Sequence, residues 1–228
     1  MTYPWISIEQ NVLTCPDGHR VKLHAYSISP ELAPQIAVLG GLLSASECDR
    51  LIALSAARLQ LAEAEAETEP AAAVSIRAVG PSERVRHVDF ARAENELIAT
   101  IEARIAALSQ WPADDAYGIR VTRYRARGPF ERDRIAEDPP YAARDERVDQ
   151  AGPAIATVVM YLSEGADAGA LSFSRSGLTV CAHKGNALFF NDPDLGEAGG
   201  GHGELDAVTI PAGDTWLATM RLARKSVG

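Results

Sequence analysis

The stretch Ala154-Ile155-Ala156-Thr157-Val158-Val159-Met160-Tyr161-Leu162 constrains this chain more than any other. Nine residues without a charge, rich in β-branched side chains, are too short for a membrane span and too β-prone for an ordinary helix. Such a run reads as a strand covered on both faces. The rest of the chain must therefore supply two apolar layers, one for each face.

Strand signals cluster from residue 117 onward. Tyr117–Tyr124 alternates in polarity, and Leu178–Cys181, Ala187–Phe190, Ala207–Ile210 and Trp216–Leu222 follow, separated by Gly and Asp-Pro turns. Short alternating segments before residue 37, such as Val21–Tyr26, add a strand or two, with a turn at Pro16-Asp17-Gly18. Helix signals lie between. Ser44-x-x-Glu47 forms a capping box, and Cys48, Leu51, Ile52, Ser55 and Leu59 follow on one face, which predicts a helix over 45–60. Residues 60–73 extend that helix or form a loop. A second helix is expected over 90–108, with Asp89 as N-cap, a stripe of Leu97, Ile101, Ile105 and Leu108, and a stop at Trp111-Pro112. Two helices followed by a run of short strands predict an α+β chain with helices packed on one sheet. A single domain is expected: N-terminal strands and turns over 1–37, helical support over 38–116 and a β core over 117–228. Residues 132–152 and 191–204 read as loops, of the kind that flank a ligand site.

With a net charge of −9 and a pI near 5.1, the chain repels polyanions, so neither nucleic acid nor an anionic membrane is expected as a partner. Cys15, Cys48 and Cys181 are widely spaced and odd in number, as expected for reduced thiols in a cytoplasmic protein. The opening MTYPWISIEQ lacks a basic segment followed by an apolar run, so no secretory signal is expected, and no apolar stretch is long enough to span a membrane.

Four segments, in order, carry a resemblance: GGLLSASECDRLIALS; IATVVMYLS followed by AGALSF; GLTV followed by KGNALFF; and GDTWLAT. Together they resemble the prolyl 4-hydroxylase class of 2-oxoglutarate/iron oxygenases from about residue 38 to 222. The resemblance implies a double-stranded β-helix (jelly roll, cupin-like) core. It also implies Fe(II) held by a His-x-Asp pair and a distal His, and 2-oxoglutarate held by a Lys or Arg.

The residues at those positions differ. Alignment on Arg123-Tyr124 brings Asp133 and Ile135 to the His-x-Asp positions; alignment on Gly128 brings Arg134 and Ala136 there. Which of Asp133 or Arg134 holds the first ligand position stays open. Leu205 falls at the distal His and Thr215 at the usual Lys or Arg. Leucine and guanidinium offer iron no lone pair. The expectation is a chain that has lost iron chemistry and takes no cofactor. It would bind, and as a metal-independent enzyme transform, a small polar or anionic molecule.

The candidate ligand contacts are Arg123, Arg125, Arg134 and Arg221, with Trp216 beside them; Arg127 and Arg132 add to the local cluster. Tyr124, Tyr161, Asp133 and His202 are the candidates for proton transfer. Two alternatives stand beside this. One is an active Fe(II)/2-oxoglutarate hydroxylase with a displaced metal site at Glu131, Asp133 and His202. The other is a non-catalytic scaffold or regulatory partner of an intact homologue. A homodimer is admitted under each. His19, His24, His87 and His183 are assigned no role.

Overall fold

The computed structural model describes residues 6–7, 9–29, 33–68, 85–112, 114, 116–125, 154–164, 170–173, 178–181, 183–191, 205–209 and 214–223. The elements in chain order are β1 (Val12–Thr14), β2 (Arg20–Ser29), β3 (Ala33–Gly40), α1 (Ala45–Thr68), β4 (Val85–Phe90), α2 (Glu96–Ser109), β5 (Ala116–Arg125), β6 (Ala154–Tyr161), β7 (Ala170–Phe173), β8 (Leu178–Cys181), β9 (Ala187–Asn191), β10 (Leu205–Thr209) and β11 (Asp214–Ala223). They form an eight-stranded sheet, ordered β1-β2-β3-β9-β6-β11-β5-β4, and a three-stranded sheet, ordered β10-β7-β8. The strand pairs are antiparallel throughout.

The apolar run becomes β6, flanked by β9 and β11 well inside the large sheet. Residues Ile155 to Leu162 are all buried, as a strand covered on both faces requires. Its two sets of side chains enter different cores. Ala156, Val158, Met160 and Leu162 pack with residues of α1 (Cys48, Leu51, Leu59) and of α2 (Leu97, Ile98, Ile101, Ile105, Leu108). Val159 and Tyr161 pack instead with Leu171 of β7 and Val180 of β8. The molecule therefore has three layers: helices, large sheet, small sheet. The face of the large sheet toward the small sheet is called inner below. The N-terminal strands are not a separate unit, because β3 pairs with β9 and continues the large sheet.

Local signals placed α1 correctly. The Ser44 amide donates to Glu47 Oε2 at 2.7 Å and the Glu47 amide to Ser44 Oγ at 3.3 Å, a reciprocal capping box. The helix then runs on to Thr68, taking in much of the stretch left open by the sequence. The expected start of the second helix needs correction. Residues 85–90 form strand β4, and the N-cap of α2 is Asn95, whose side chain accepts from the Ile98 amide at 3.1 Å. Asp89 cannot cap, because Arg120 on the adjacent strand holds its carboxylate through two bonds of 2.8 and 3.0 Å. The apolar stripe of α2 is buried as expected.

A buried arginine joins distant parts of the chain. Arg104, 5% exposed, donates to Asp17 Oδ2 at 2.7 Å, to Glu47 Oε2 and Oε1 at 3.0 and 2.8 Å, and to the Leu42 carbonyl at 3.1 Å. It ties α2 to the start of α1 and to the β1–β2 turn. Bidentate geometry and a carbonyl partner satisfy the guanidinium that burial strips of water.

Candidate site on the inner face of the large sheet

Strand alternation fixes which side chains reach the inner face. Tyr161, Val159 and Thr157 do so from β6. Tyr124, Thr122 and Arg120 do so from β5, and Thr215, Leu217, Thr219 and Arg221 from β11. Phe190 and Leu188 do so from β9, Ile36 and Val38 from β3, and Val85, His87 and Asp89 from β4. The register aligns these in rows across the strands. Val85, Tyr124 and Thr215 form one; His87, Thr122, Leu217 and Tyr161 the next; Asp89, Arg120, Thr219, Val159, Leu188 and Val38 a third; Arg221, Thr157, Phe190 and Ile36 a fourth. The face is thus divided. The β3–β9 side is apolar, and the β11–β5–β4 side is polar.

The tyrosines stand near this boundary. Tyr124 is 1% and Tyr161 2% exposed, and both belong to the inner core. The backbone of Tyr161 is held firmly. Its amide donates to the Asn186 carbonyl at 2.9 Å, and its carbonyl accepts from the Gly185 amide at 2.8 Å. Gly185 makes this possible. It has a φ of +85°, and a Cβ there would stand 2.4 Å from the Leu43 carbonyl oxygen. The Asn186 side chain accepts from the Gly41 amide at 3.0 Å, so the turn after β8 anchors both Tyr161 and the entry to α1.

Two buried hydroxyls on this face, Tyr161 Oη and Thr219 Oγ1, have no hydrogen-bond partner among the described residues. Burial, with a smaller contribution from Cys181, pushes the Tyr161 phenol far above its ordinary range. Tyr161 is therefore a neutral hydroxyl that donates or accepts a hydrogen bond and does not ionise in ordinary buffers. Cys48, behind it, is likewise silent. Its thiol approaches the Tyr161 carbonyl at 3.9 Å, and burial pushes it up to about 11.

The sequence-predicted contacts divide between the two faces. Tyr124, Tyr161 and Arg221 are on the inner face. Arg123, Arg125 and Trp216 are not. Trp216 packs in the helix-side core, the Arg123 guanidinium lies 5.4 Å from the centre of its ring, and Arg123 and Arg125 both pair with Asp214. These arginines do line one side of their strand, but alternation turns that side away from Tyr124. Glu131, Asp133, Arg134 and His202, together with Arg127 and Arg132, lie outside the described residues. Thr157, Thr219, His87 and the Arg120–Asp89 pair were not singled out in the sequence. The available signal was Thr157, a threonine at inward parity in the otherwise apolar β6.

Among the described residues no group of three or more His, Cys, Asp and Glu side chains is placed to hold a metal ion. Leu205 begins β10 opposite Phe173, and Thr215 is buried on β11 opposite Tyr124. Leucine has no donor atom for iron, and threonine has no charge for a carboxylate. At these two positions the residues present do not fit the iron and 2-oxoglutarate that the sequence resemblance implies.

No protein-family model matches the chain. The fold is similar to that of a solved prolyl hydroxylase. The viral collagen prolyl hydroxylase of Paramecium Bursaria Chlorella virus-1, in its 2OG complex, superposes with a TM-score of 0.53 at 19% identity, over 83% of this chain and 96% of that one. A truncated form of the same enzyme gives 0.51 at 19% identity, over 89% and 99%. Among curated proteins, the chain is similar to Prolyl 4-hydroxylase 1 of Arabidopsis thaliana, 26% identical over 217 residues, which span 88% of this chain and 74% of that protein. No helix among the described residues is long and apolar enough to cross a membrane, and all three cysteines are unpaired.

Proposed function

We propose that this is a prolyl 4-hydroxylase-like protein, with a double-stranded β-helix core, that has given up iron-dependent hydroxylation. It holds a small polar molecule on the inner face of its large sheet. The observation that carries the reading is the pair Leu205 and Thr215, which stand where the resemblance calls for an iron-binding His and a carboxylate-binding Lys or Arg. Inner-face Tyr124 and Tyr161, and the Tyr161 and Thr219 hydroxyls without a partner among the described residues, are the polar groups that the reading assigns to such a molecule. On this reading the protein is cytoplasmic and its partner is a small molecule. Any chemistry there uses protein hydroxyls, without metal.

The rival reading, an active 2-oxoglutarate oxygenase with ligands from Glu131, Asp133 and His202, is favoured by the similarity to Prolyl 4-hydroxylase 1. One experiment separates them. The purified chain is loaded anaerobically with Fe(II), and bound iron and oxygen-dependent conversion of 2-oxoglutarate to succinate are measured. The expected result is sub-stoichiometric iron and no succinate above the iron-only control. Stoichiometric iron with turnover, lost in His202→Ala, would establish the rival.

A further inference from the structure

Helix α1 is apolar on two sides. One side enters the helix-side core through Cys48, Leu51 and Leu59, with Ile52 and Ala56 packed against it. The other faces solvent. Among the described residues the large apolar side chains left exposed are Leu54, at 41%, and Leu61, at 64%, and both belong to this helix. Seven residues make about two turns, so the two leucines stand on one line about 10.5 Å apart. Arg50 and Ala57, both exposed, complete the series 50, 54, 57 and 61. Its alternating steps of four and three are those of a helix-pairing seam. Isolated exposed leucines are ordinary on a protein surface, but a helix that is apolar on opposite sides calls for a second cover.

The charges of α1 say what that cover is. Glu47, Asp49, Arg50, Arg58 and Glu63 are the charged residues between Ala45 and Glu63. Four are engaged within the molecule: Glu47 with Arg104, Asp49 with Lys184, Arg58 with Glu94 and Glu63 with Arg86. Arg50 has no ion pair among the described residues, and it stands one turn before Leu54 on the seam. Past Leu61 the helix turns acidic, with Glu65 and Glu67 ahead of its last residue, Thr68. The seam is therefore basic at its start and acidic at its end, and it complements itself when reversed. A two-fold axis between positions 57 and 58 sets Leu54 against Leu61 of a second copy and Arg50 level with position 65 of that copy. A parallel pair would instead set Arg50 against Arg50 and Glu65 against Glu65, which repel, and would place like ends of the helix dipoles together.

We infer that α1 is a self-association surface, on which two copies of this chain pair antiparallel through Leu54, Ala57 and Leu61, with Arg50 of each copy against Glu65 of the other. The surface lies across the large sheet from the inner face, so the inference stands apart from the functional reading above. One pair of helices, each about 36 Å long, is a small interface, and the dimer is accordingly weak, with a Kd of about 10–100 μM.

The test is sedimentation velocity of the full chain from about 1 to about 300 μM, a range that brackets that Kd. The salt is held at about 0.15 M, where the net charge of −9 is screened beyond about 8 Å. Wild type should pass from monomer to dimer across the range. Leu61→Lys should weaken association at least about 10-fold, with its thermal transition in dilute solution unchanged. Arg50→Glu should weaken it about 5-fold, and the exchange Arg50→Glu with Glu65→Arg should restore it. A monomer at every concentration overturns the inference, as does a dimer untouched by Leu61→Lys. A lowered thermal transition in dilute Leu61→Lys overturns it too, since the face is then covered within one copy. A charge exchange that restores nothing overturns the antiparallel register.

Discussion

At the residue scale, the most informative side chain is Tyr161, whose environment opposes its chemistry. A phenol that is 2% exposed and without a partner for its hydroxyl carries an uncompensated desolvation cost. Replacing it with phenylalanine keeps the ring and removes that cost. Tyr161→Phe should therefore raise the stability of the ligand-free protein by about 0.5–1 kcal/mol, seen as a higher urea midpoint at unchanged slope. A loss of 1 kcal/mol or more would mean that the hydroxyl is satisfied in the folded protein. Glu102 presents a related case. It is 4% exposed, its Oε2 accepts from the Ala93 amide at 2.9 Å, and its Oε1 has no partner among the described residues. Burial raises its carboxyl above the ordinary range, against the weaker opposing effects of the Ala93 amide and Arg92. A carboxyl raised on folding lowers stability above its folded pKa and ceases to do so below its unfolded value near 4.3. Glu102→Gln should thus stabilise the protein at pH 7 and lose that advantage as the pH is lowered toward 4, which denaturation curves at the two pH values will read.

The elements are held together by groups that no single element reveals. Arg104 of α2 binds Asp17 and Glu47, 87 and 57 residues away in sequence. Burial works to raise the Glu47 carboxyl, but the bonds from Arg104 and Ser44 outweigh it and hold the group below its ordinary value; Asp17 follows the same pattern. Carboxyls lowered on folding add stability above the unfolded pKa near 4 and lose it as pH falls through the folded value. The clamp should therefore weaken only in acid, below about pH 4, opposite in sign to Glu102. Arg104→Met leaves both carboxylates without their partner and should cost about 3–5 kcal/mol. In a double-mutant cycle, adding Glu47→Gln to Arg104→Met should cost much less than Glu47→Gln alone. Additive effects would show that the bonds are not coupled.

The molecule as a whole is one large sheet with a core on each side. Ile101 on the helix side and Leu171 on the small-sheet side are 0% and 1% exposed, and they reach the two faces of the same strands. Truncating either to alanine should cost about 2–5 kcal/mol. Both variants should lower one shared calorimetric transition, because the sheet cannot lose one cover and keep the other. Two separate transitions would contradict that coupling. Leu61, 64% exposed on α1, serves as the control and should change stability by under about 0.5 kcal/mol when truncated.

Much of this architecture was legible in the residues. The uncharged run at 154–162 specified a strand with two covers, Ser44 and Glu47 specified the start of α1, and the stripe from Leu97 to Leu108 specified the buried face of α2. These signals are local, since each depends on a repeat or a cap within a few residues. Tertiary structure decided which way each strand faces the rest. Period-two alternation puts Arg123 and Arg125 together and opposite Tyr124, but only the packing of the helices over Trp216 decides that the arginine side is the helix side. Pairing of β6 with β11 brings Thr219 beside Tyr161, and pairing of β4 with β5 moves Asp89 from a helix cap to an ion pair with Arg120. Sequence fixes what a side chain can bond to within its own segment. Its partner across the sheet follows from register, a property of two segments far apart in the chain.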